Sequence, residues 1–352
     1  MKTFDYVRPK TVAEAIAAAS APGAAYLAAG TNLVDLMKDA IVAPDRLVDL
    51  NHLSGLDRIE HLPDGGVRIG ALVRNSDLAH DATFARRFPA VAEALLSGAS
   101  AQLRNAATVG GNLLQRTRCA YFYDVASACN KRAPGSGCDA RGGDTRLHAV
   151  LGWSESCIAT HPSDFCVPLV AFDAVVEIEG AAGRREVSLD SFHRLPGKTP
   201  EHESILQPGD LIVAVRLPGA GAGFSGHARY LKVRDRTSFA FAIVSAAAAL
   251  RIEGGAIVEA RLALGGVALK PWRARSAEAL LIGARPDAAG FRRAAEAALV
   301  EAKPSGDNAF KIELARRVLA RALALAAAGT PDRMPALPAS AFAPVEGAAV
   351  HA

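Results

Sequence analysis

All five cysteines of this chain lie between Cys119 and Cys166, and the rest of the sequence has none. The same stretch is rich in Gly, Arg and Asp and has no periodic apolar pattern, so it is predicted to be a long loop. A loop of this length inside a globular chain needs something other than an apolar core to order it. Clustered thiols can provide either disulfides or a metal centre.

The N-terminal segment and the odd number of cysteines favour a metal centre. Residues 1–6 contain no apolar signal segment, so the sequence by itself predicts a cytoplasmic protein, or a periplasmic one if a partner chain carries the export signal. Thiols in a reducing compartment are usually free, catalytic or metal-bound. The spacing alone does not identify the metal. Gaps of nine, eight and eighteen residues separate Cys119, Cys129, Cys138 and Cys157, unlike the C-x-x-C knuckles of zinc sites.

Length and charge limit the classes of protein to which this chain can belong. A chain of 352 residues predicts two or three domains. A net charge of +4 is small for this size and gives no support to a nucleic-acid-binding surface. The Ala/Leu-rich run at residues 318–328 is too short to cross a membrane, so no membrane span is expected.

Two loops rich in small residues are candidates for binding a phosphate group. The first, within residues 26–34, runs from a predicted strand at 24–28 into a predicted helix at 33–38. The second is Thr108-Val109-Gly110-Gly111-Asn112. Small side chains let backbone N–H groups approach a pyrophosphate, and a following helix adds its positive end. Each loop could equally be an ordinary turn, and neither is a G-x-G-x-x-G or Walker motif.

The glycine-rich segment at 219–223 follows Pro218 and predicts the main domain boundary. After this boundary the pattern predicts strands and then helices. The helices are expected at residues 274–282, 287–302 and 308–328, and the segment 242–251 could be a strand or a helix.

Five motifs, in the same order, resemble the FAD-binding subunit of molybdenum hydroxylases, the xanthine dehydrogenase and aldehyde oxidoreductase family. They are Phe4-Asp5-Tyr6-x-Arg8-Pro9, Gly30-Thr31-Asn32-Leu33, Thr108-x-Gly110-Gly111-Asn112, Pro162-Ser163-Asp164, and Leu264-Gly265-Gly266-Val267-Ala268 with Lys270-Pro271. The resemblance implies an α+β protein, with a two-subdomain FAD-binding fold of the vanillyl-alcohol oxidase type and a smaller α+β C-terminal domain. The implied ranges are 1–58 and 59–224 for the two FAD-binding subdomains, 113–162 for an iron–sulfur loop insertion, 225–330 for the C-terminal domain and 331–352 for a tail.

The resemblance also implies which residues contact FAD. The pyrophosphate would lie on the first loop, and the second loop would complete the phosphate and ribose contacts. Asp164 would bind ribitol or ribose hydroxyls, and Lys232 would lie near the flavin ring. The loop residues concerned are Tyr26, Leu27, Ala28, Ala29, Gly30, Thr31, Asn32, Leu33, Val34, Thr108, Gly111 and Asn112. Many members have glycine at the position of Ala29, and alanine is tolerated there only if its φ stays negative.

The cysteine loop resembles the subgroup of this family that has an extra [4Fe–4S] cluster in the flavin subunit, typified by bacterial aldehyde oxidoreductases. Cys119, Cys129, Cys138 and Cys157 would then be the four thiolate ligands. Cys166 would be a buried small hydrophobe. His148 is predicted to be a packing residue.

These resemblances predict the electron-transfer flavoprotein subunit of a molybdenum-containing aldehyde oxidoreductase. Electrons would pass from the [2Fe–2S] clusters of a small subunit to FAD and on to an external acceptor. A molybdenum-cofactor large subunit would oxidise the aldehyde and complete a heterotrimer. The alternatives are the FAD/[4Fe–4S] subunit of a 4-hydroxybenzoyl-CoA reductase-like enzyme and a stand-alone flavin oxidoreductase.

Overall fold

A three-stranded parallel sheet begins the chain in the computed structural model, which describes residues 1–332. Its strands β1 (Asp5–Val7), β2 (Ala24–Leu27) and β3 (Arg46–Asp49) lie in the order β1-β3-β2, with helices α1 (Val12–Ala19) and α2 (Leu33–Lys38) between them. Thr11 caps α1 by accepting a hydrogen bond from the Glu14 N–H at 3.1 Å. The strand and helix predicted around the first small-residue loop are therefore present.

The second sheet has five antiparallel strands in the order β4-β5-β8-β6-β7. The strands are β4 (Ile59–His61), β5 (Val67–Gly70), β6 (Val175–Gly180), β7 (Gly183–Ser188) and β8 (Leu211–Leu217). Short helices lie between these strands along the chain, namely α3 (Asn75–His80), α4 (Ala82–Arg87), α5 (Pro89–Ser97), α6 (Ala101–Ala106), α7 (Val109–Leu113), α8 (Ala120–Tyr123), α9 (Cys166–Ala171) and α10 (Leu189–Phe192). All of them except α6 and α8 contribute residues to the largest apolar core. The segment predicted as a glycine linker forms 3₁₀ turns over Gly219–His227.

The third sheet is antiparallel, in the order β12-β11-β10-β9. Its strands are β9 (Ala228–Val233), β10 (Val244–Glu253), β11 (Ala256–Gly265) and β12 (Trp272–Arg273), and they are followed by helices α11 (Arg275–Leu281), α12 (Ala288–Ala298) and α13 (Phe310–Ala327). Segment 242–251, for which the sequence allowed a strand or a helix, is strand β10. Its alanines are buried on both faces, between apolar residues of the second sheet's core and those of the C-terminal helices. A strand buried on both faces has no apolar–polar alternation, so its sequence resembles that of a buried helix.

The cysteine loop is largely irregular, as predicted. Between residues 113 and 162 it contains α8, a 3₁₀ turn at Asp139–Gly142 and two isolated bridges, one of which pairs Cys129 with Cys138. The buried Lys131 ammonium attaches the loop to the segment between β7 and β8. It donates to Pro200 O and forms an ion pair with Glu203 Oε1, both at 2.8 Å. Among residues 1–332, no helix is long and apolar enough to cross a membrane. The tail was predicted at residues 331–352, and residues 333–352 lie outside the described residues.

Candidate functional site

A cavity of about 730 Å³ receives residues from all three sheet regions of the described chain. This volume is within the range typical of sites for small molecules and cofactors. Six of the residues predicted to contact FAD line it, namely Thr31, Asn32, Gly111, Asn112, Asp164 and Lys232. The other predicted contacts, Tyr26 to Gly30, Leu33, Val34 and Thr108, are in the same two loops but do not line the cavity.

The first small-residue loop depends on a glycine at position 30. Gly30 has a φ of +75°, and a Cβ there would come within 2.8 Å of Val34 Cγ2. A side chain at this position would therefore be strained in both backbone conformation and packing. Ala29 is not among the positive-φ residues of the described chain, so its methyl group fits the loop without that cost. Alanine at this position was predicted to be tolerated only with a negative φ, and Ala29 meets that condition.

Asn32 leaves one hydrogen-bonding group free at the edge of the cavity. Its Oδ1 accepts from the Arg116 N–H at 2.9 Å, which ties the first loop to the start of the cysteine loop. Its Nδ2 is buried and has no partner in the part of the chain that the structure describes. A buried amide donor without an acceptor costs about 1–3 kcal/mol, so the site is suited to a ligand that brings an acceptor.

The second loop forms the start of α7. The Thr108 hydroxyl accepts from the Gly111 N–H at 3.3 Å and caps this helix. Gly110 packs closely on Ala71, whereas a Cβ on Gly111 would meet only Thr108 Oγ1, at 3.1 Å, and would face the cavity. Asn112 Oδ1 accepts from Ser163 Oγ and from Gln115 Nε2, both at 2.7 Å. The main chain at Gly111 is thus open to the cavity.

Asp164 and Lys232 form a buried ion pair in the cavity wall. Lys232 Nζ donates to Asp164 Oδ2 at 2.7 Å, and the Tyr230 hydroxyl donates to Asp164 Oδ1 at 2.6 Å. Burial raises the pKa of Tyr230 well above its usual value, and the neighbouring Asp164 carboxylate raises it further. Removing one partner of such a pair leaves an uncompensated buried charge, so the two residues fix each other's position.

Four cysteines line a second, smaller cavity next to the first. They are Cys119, Cys129, Cys138 and Cys157, the residues predicted as cluster ligands. All are free thiols, and the space that they enclose is about 10 Å³. Burial raises the pKa of Cys119 to about 11, and Cys157 and Cys129 contribute to the rise. Burial also raises the pKa of Cys138 and of Cys157. A bound metal would stabilise the thiolate form of such thiols, as it does at metal centres with cysteine ligands.

Cys119 lines both cavities and contacts a histidine that the sequence analysis treated as packing. His148 Nε2 lies 3.1 Å from Cys119 Sγ, and His148 also lines the larger cavity. Burial, followed by the Lys311 ammonium, lowers the pKa of His148 below its usual value. No periodicity or motif could have identified this contact, because it joins two irregular segments that are distant in sequence.

Cys166 lies apart from this group, fully buried at the start of α9. Its sulfur and one nitrogen each of His161 and His193 lie within 4.8 Å of one another. The Ser163 N–H donates to His161 Nδ1 at 3.3 Å, which places the proton of the neutral ring on Nε2. We interpret Cys166 as a buried apolar residue, because it packs in the main core and lines neither cavity.

The buried His193 makes the protein sensitive to acid. Burial lowers its pKa to about 4, while its Nε2 contacts Leu113 O at 2.9 Å. The unfolded chain therefore takes up this proton near pH 6.5 and the folded chain only near 4, so stability is lost as pH falls through this window, by about 3 kcal/mol in total. We expect urea unfolding from pH 7 to 4 to show a shallower pH dependence for His193→Gln, whose amide can still donate to Leu113 O. Parallel stability profiles for the two proteins would contradict this.

The comparisons with known proteins agree with this geometry. Residues 2–220 match the FAD binding domain in molybdopterin dehydrogenase, and residues 229–326 match the CO dehydrogenase flavoprotein C-terminal domain. The aldehyde oxidoreductase FAD-binding subunit PaoB of Escherichia coli K12 is 51% identical over 330 residues, covering 93% of this chain and 99% of the relative. The carbon monoxide dehydrogenase medium chain of Hydrogenophaga pseudoflava is 27% identical and covers 91% of this chain and 96% of its own length.

Solved structures extend the likeness to the whole fold. A chain of the Cu,Mo-CO dehydrogenase in its cyanide-inactivated form matches with a TM-score of 0.73 and 26% identity over 93% of this chain and 98% of that chain. Quinoline 2-oxidoreductase from Pseudomonas putida 86 gives a TM-score of 0.71 at 26% identity, over 93% and 97% of the two chains. An FAD-binding domain followed by a C-terminal domain, and the family indicated by the five motifs, are therefore confirmed. The chain belongs to the FAD-binding medium subunits of the molybdenum hydroxylase family and is an oxidoreductase subunit.

Proposed function

We propose that this chain is the electron-transfer subunit of a molybdenum-containing aldehyde oxidoreductase, with one FAD in the larger cavity and one [4Fe–4S] cluster on Cys119, Cys129, Cys138 and Cys157. The observation that carries the proposal is the shared wall of the two cavities. Cys119 belongs to both, so a cluster on these thiols would lie directly beside the FAD cavity. The 51% identity with an aldehyde oxidoreductase FAD-binding subunit favours the aldehyde enzymes over the 4-hydroxybenzoyl-CoA reductase-like alternative.

The residues of the larger cavity suit FAD. Bound FAD would supply a group that exchanges electrons singly or in pairs. The loops at Gly30 and Gly111 would let the main chain approach the pyrophosphate, and Asn32 Nδ2 would donate to it. Asp164 and Lys232 would hold the cofactor's hydroxyls and ring end. The proposed fold is the two-subdomain vanillyl-alcohol oxidase type, divided at 58/59 and 224/225.

The donor set of the smaller cavity suits an iron–sulfur cluster. Four thiols from irregular backbone converge, which is how proteins ligate such clusters without regular spacing. Cys166 does not line the cavity and is left out of the ligand set.

The remaining parts of the reaction belong to other chains. We propose a molybdenum-cofactor large subunit that oxidises the aldehyde and a [2Fe–2S] small subunit that delivers electrons to FAD here, forming a heterotrimer. The isolated chain should then leave its flavin oxidised when aldehyde is added. Flavin reduction by aldehyde without partners would instead support a stand-alone flavin oxidoreductase.

The content of iron, acid-labile sulfide and FAD in the anaerobically purified chain tests both cofactor assignments. We expect about four irons and four sulfides for the cluster, together with one FAD per chain. Zinc without flavin would contradict the proposal. Flavin without iron would support the FAD assignment of the larger cavity and would contradict the cluster assignment of the smaller one.

A further inference from the structure

His148 lies at the junction of the two cofactor cavities. Its ring lines the larger cavity, and its Nε2 contacts Sγ of Cys119, the cysteine that lines both. The residue is 6% exposed, so this N···S contact is shielded from competing water. A sulfur bound to iron is a thiolate and can only accept a hydrogen bond, so in the loaded protein Nε2 must be the donor.

The backbone of His148 is held by buried groups of the C-terminal region. Its carbonyl accepts from Lys311 Nζ at 2.8 Å and from Asn308 Nδ2 at 3.1 Å, and both side chains are fully buried. Its N–H donates to Thr145 O at 2.9 Å. The Lys311 ammonium also donates to Leu147 O and Gly266 O, at 3.1 and 2.7 Å. Buried hydrogen bonds therefore fix the main chain from which the imidazole extends toward Cys119.

We propose that His148 sets the reduction potential of the cluster by donating its Nε2–H to the Cys119 sulfur. This inference rests on the proposed function, because it requires the cluster. Reduction adds one electron to the cluster and makes its sulfurs more negative, so an N–H···S hydrogen bond stabilises the reduced form more than the oxidised form. The donor therefore raises the potential. His148 is a positioning and tuning residue, and iron remains bound by the four thiolates without it.

The test compares three variants of the full chain after iron and FAD contents have been measured. His148→Phe fills a similar volume without a donor, His148→Gln places an amide donor near the position of Nε2, and His202→Phe removes an exposed histidine elsewhere. Titration with dithionite, followed by electron paramagnetic resonance, gives the cluster potential. We expect His148→Phe to keep four irons but to be reduced less readily, with an equilibrium constant for reduction lower by a factor of up to about ten. The bond is present in both oxidation states, so only the difference in its strength shifts the potential. His148→Gln and His202→Phe should stay close to the unsubstituted chain.

A second measurement covers the case in which His148→Phe does not fold. In the unsubstituted chain labelled with ¹⁵N-histidine, pulsed paramagnetic resonance of the reduced cluster should show a histidine nitrogen coupled through the hydrogen bond. The coupling should vanish in His148→Gln. If the coupling is absent, or if iron-loaded His148→Phe and the unsubstituted chain have equal potentials, the proposed role of His148 is wrong. The proposed cluster is not affected by that outcome. An unsubstituted chain without iron overturns the proposed cluster first, so the two failures are distinguishable.

Discussion

The Gly111→Val variant should lose FAD during purification. Gly111 lines the larger cavity, and its main chain is the part of the second loop that a cofactor can approach closely. A valine side chain would occupy that space and hold the pyrophosphate away from the backbone donors. Losing one or two hydrogen bonds to a charged phosphate weakens binding by about 3 kcal/mol or more, which is at least a hundredfold in affinity.

The backbone conformation at Gly111 tolerates a side chain, so Gly111→Val should lose FAD without unfolding. Its φ is not in the left-handed region, so a side chain is allowed there, and the nearest atom to a new Cβ is Thr108 Oγ1 at 3.1 Å. Gly142→Val is the matched control, because a Cβ at Gly142 meets nothing within 4 Å and its φ is also unrestricted. Flavin absorbance per chain, FAD titration of the apoprotein and thermal unfolding should be measured on both. Normal flavin occupancy in a folded Gly111→Val protein would contradict the site.

The two small-residue loops could be located from the sequence because the constraints on them are local. Gly30 needs a positive φ, and Gly111 needs an unobstructed main chain, and both needs leave small residues in a fixed order. The four clustered thiols were equally visible, because all the cysteines of the chain lie in one stretch without apolar periodicity. The residues that surround these thiols in the folded protein could not be predicted from the sequence. Convergence of the thiols on a cavity that borders the first one depends on long-range packing.

Lys311 shows why the rest could not be predicted. Periodicity correctly gives a helix here, yet a lysine is expected on its solvent face. In the structure the ammonium is completely buried and donates to three backbone carbonyls, those of Leu147, His148 and Gly266. Those carbonyls belong to irregular segments distant in sequence, so neither the burial of Lys311 nor the placement of His148 leaves a local signal.

The second large effect should be the loss of iron from Cys129→Ser. Cys129 lines the smaller cavity, so its substitution removes one of the four proposed ligands. We expect the iron content to fall from about four per chain to below one, since serine is a poor ligand for a cluster held by thiolates. The loop should then become sensitive to proteases, because the apolar cluster around Cys129 contains only four buried residues and cannot order it alone.

Cys166→Ser is the matched control for this prediction. Cys166 is fully buried in the main core, outside both cavities, and its N–H donates to Ser163 Oγ at 3.2 Å. A serine there buries a hydroxyl and costs about 1–3 kcal/mol of stability, which a lower melting temperature would reveal. Its iron content should nevertheless stay at about four per chain, as expected for one cluster. If Cys166→Ser lost its iron while Cys157→Ser kept it, the fourth ligand would be Cys166, and the ligand set proposed here would be wrong.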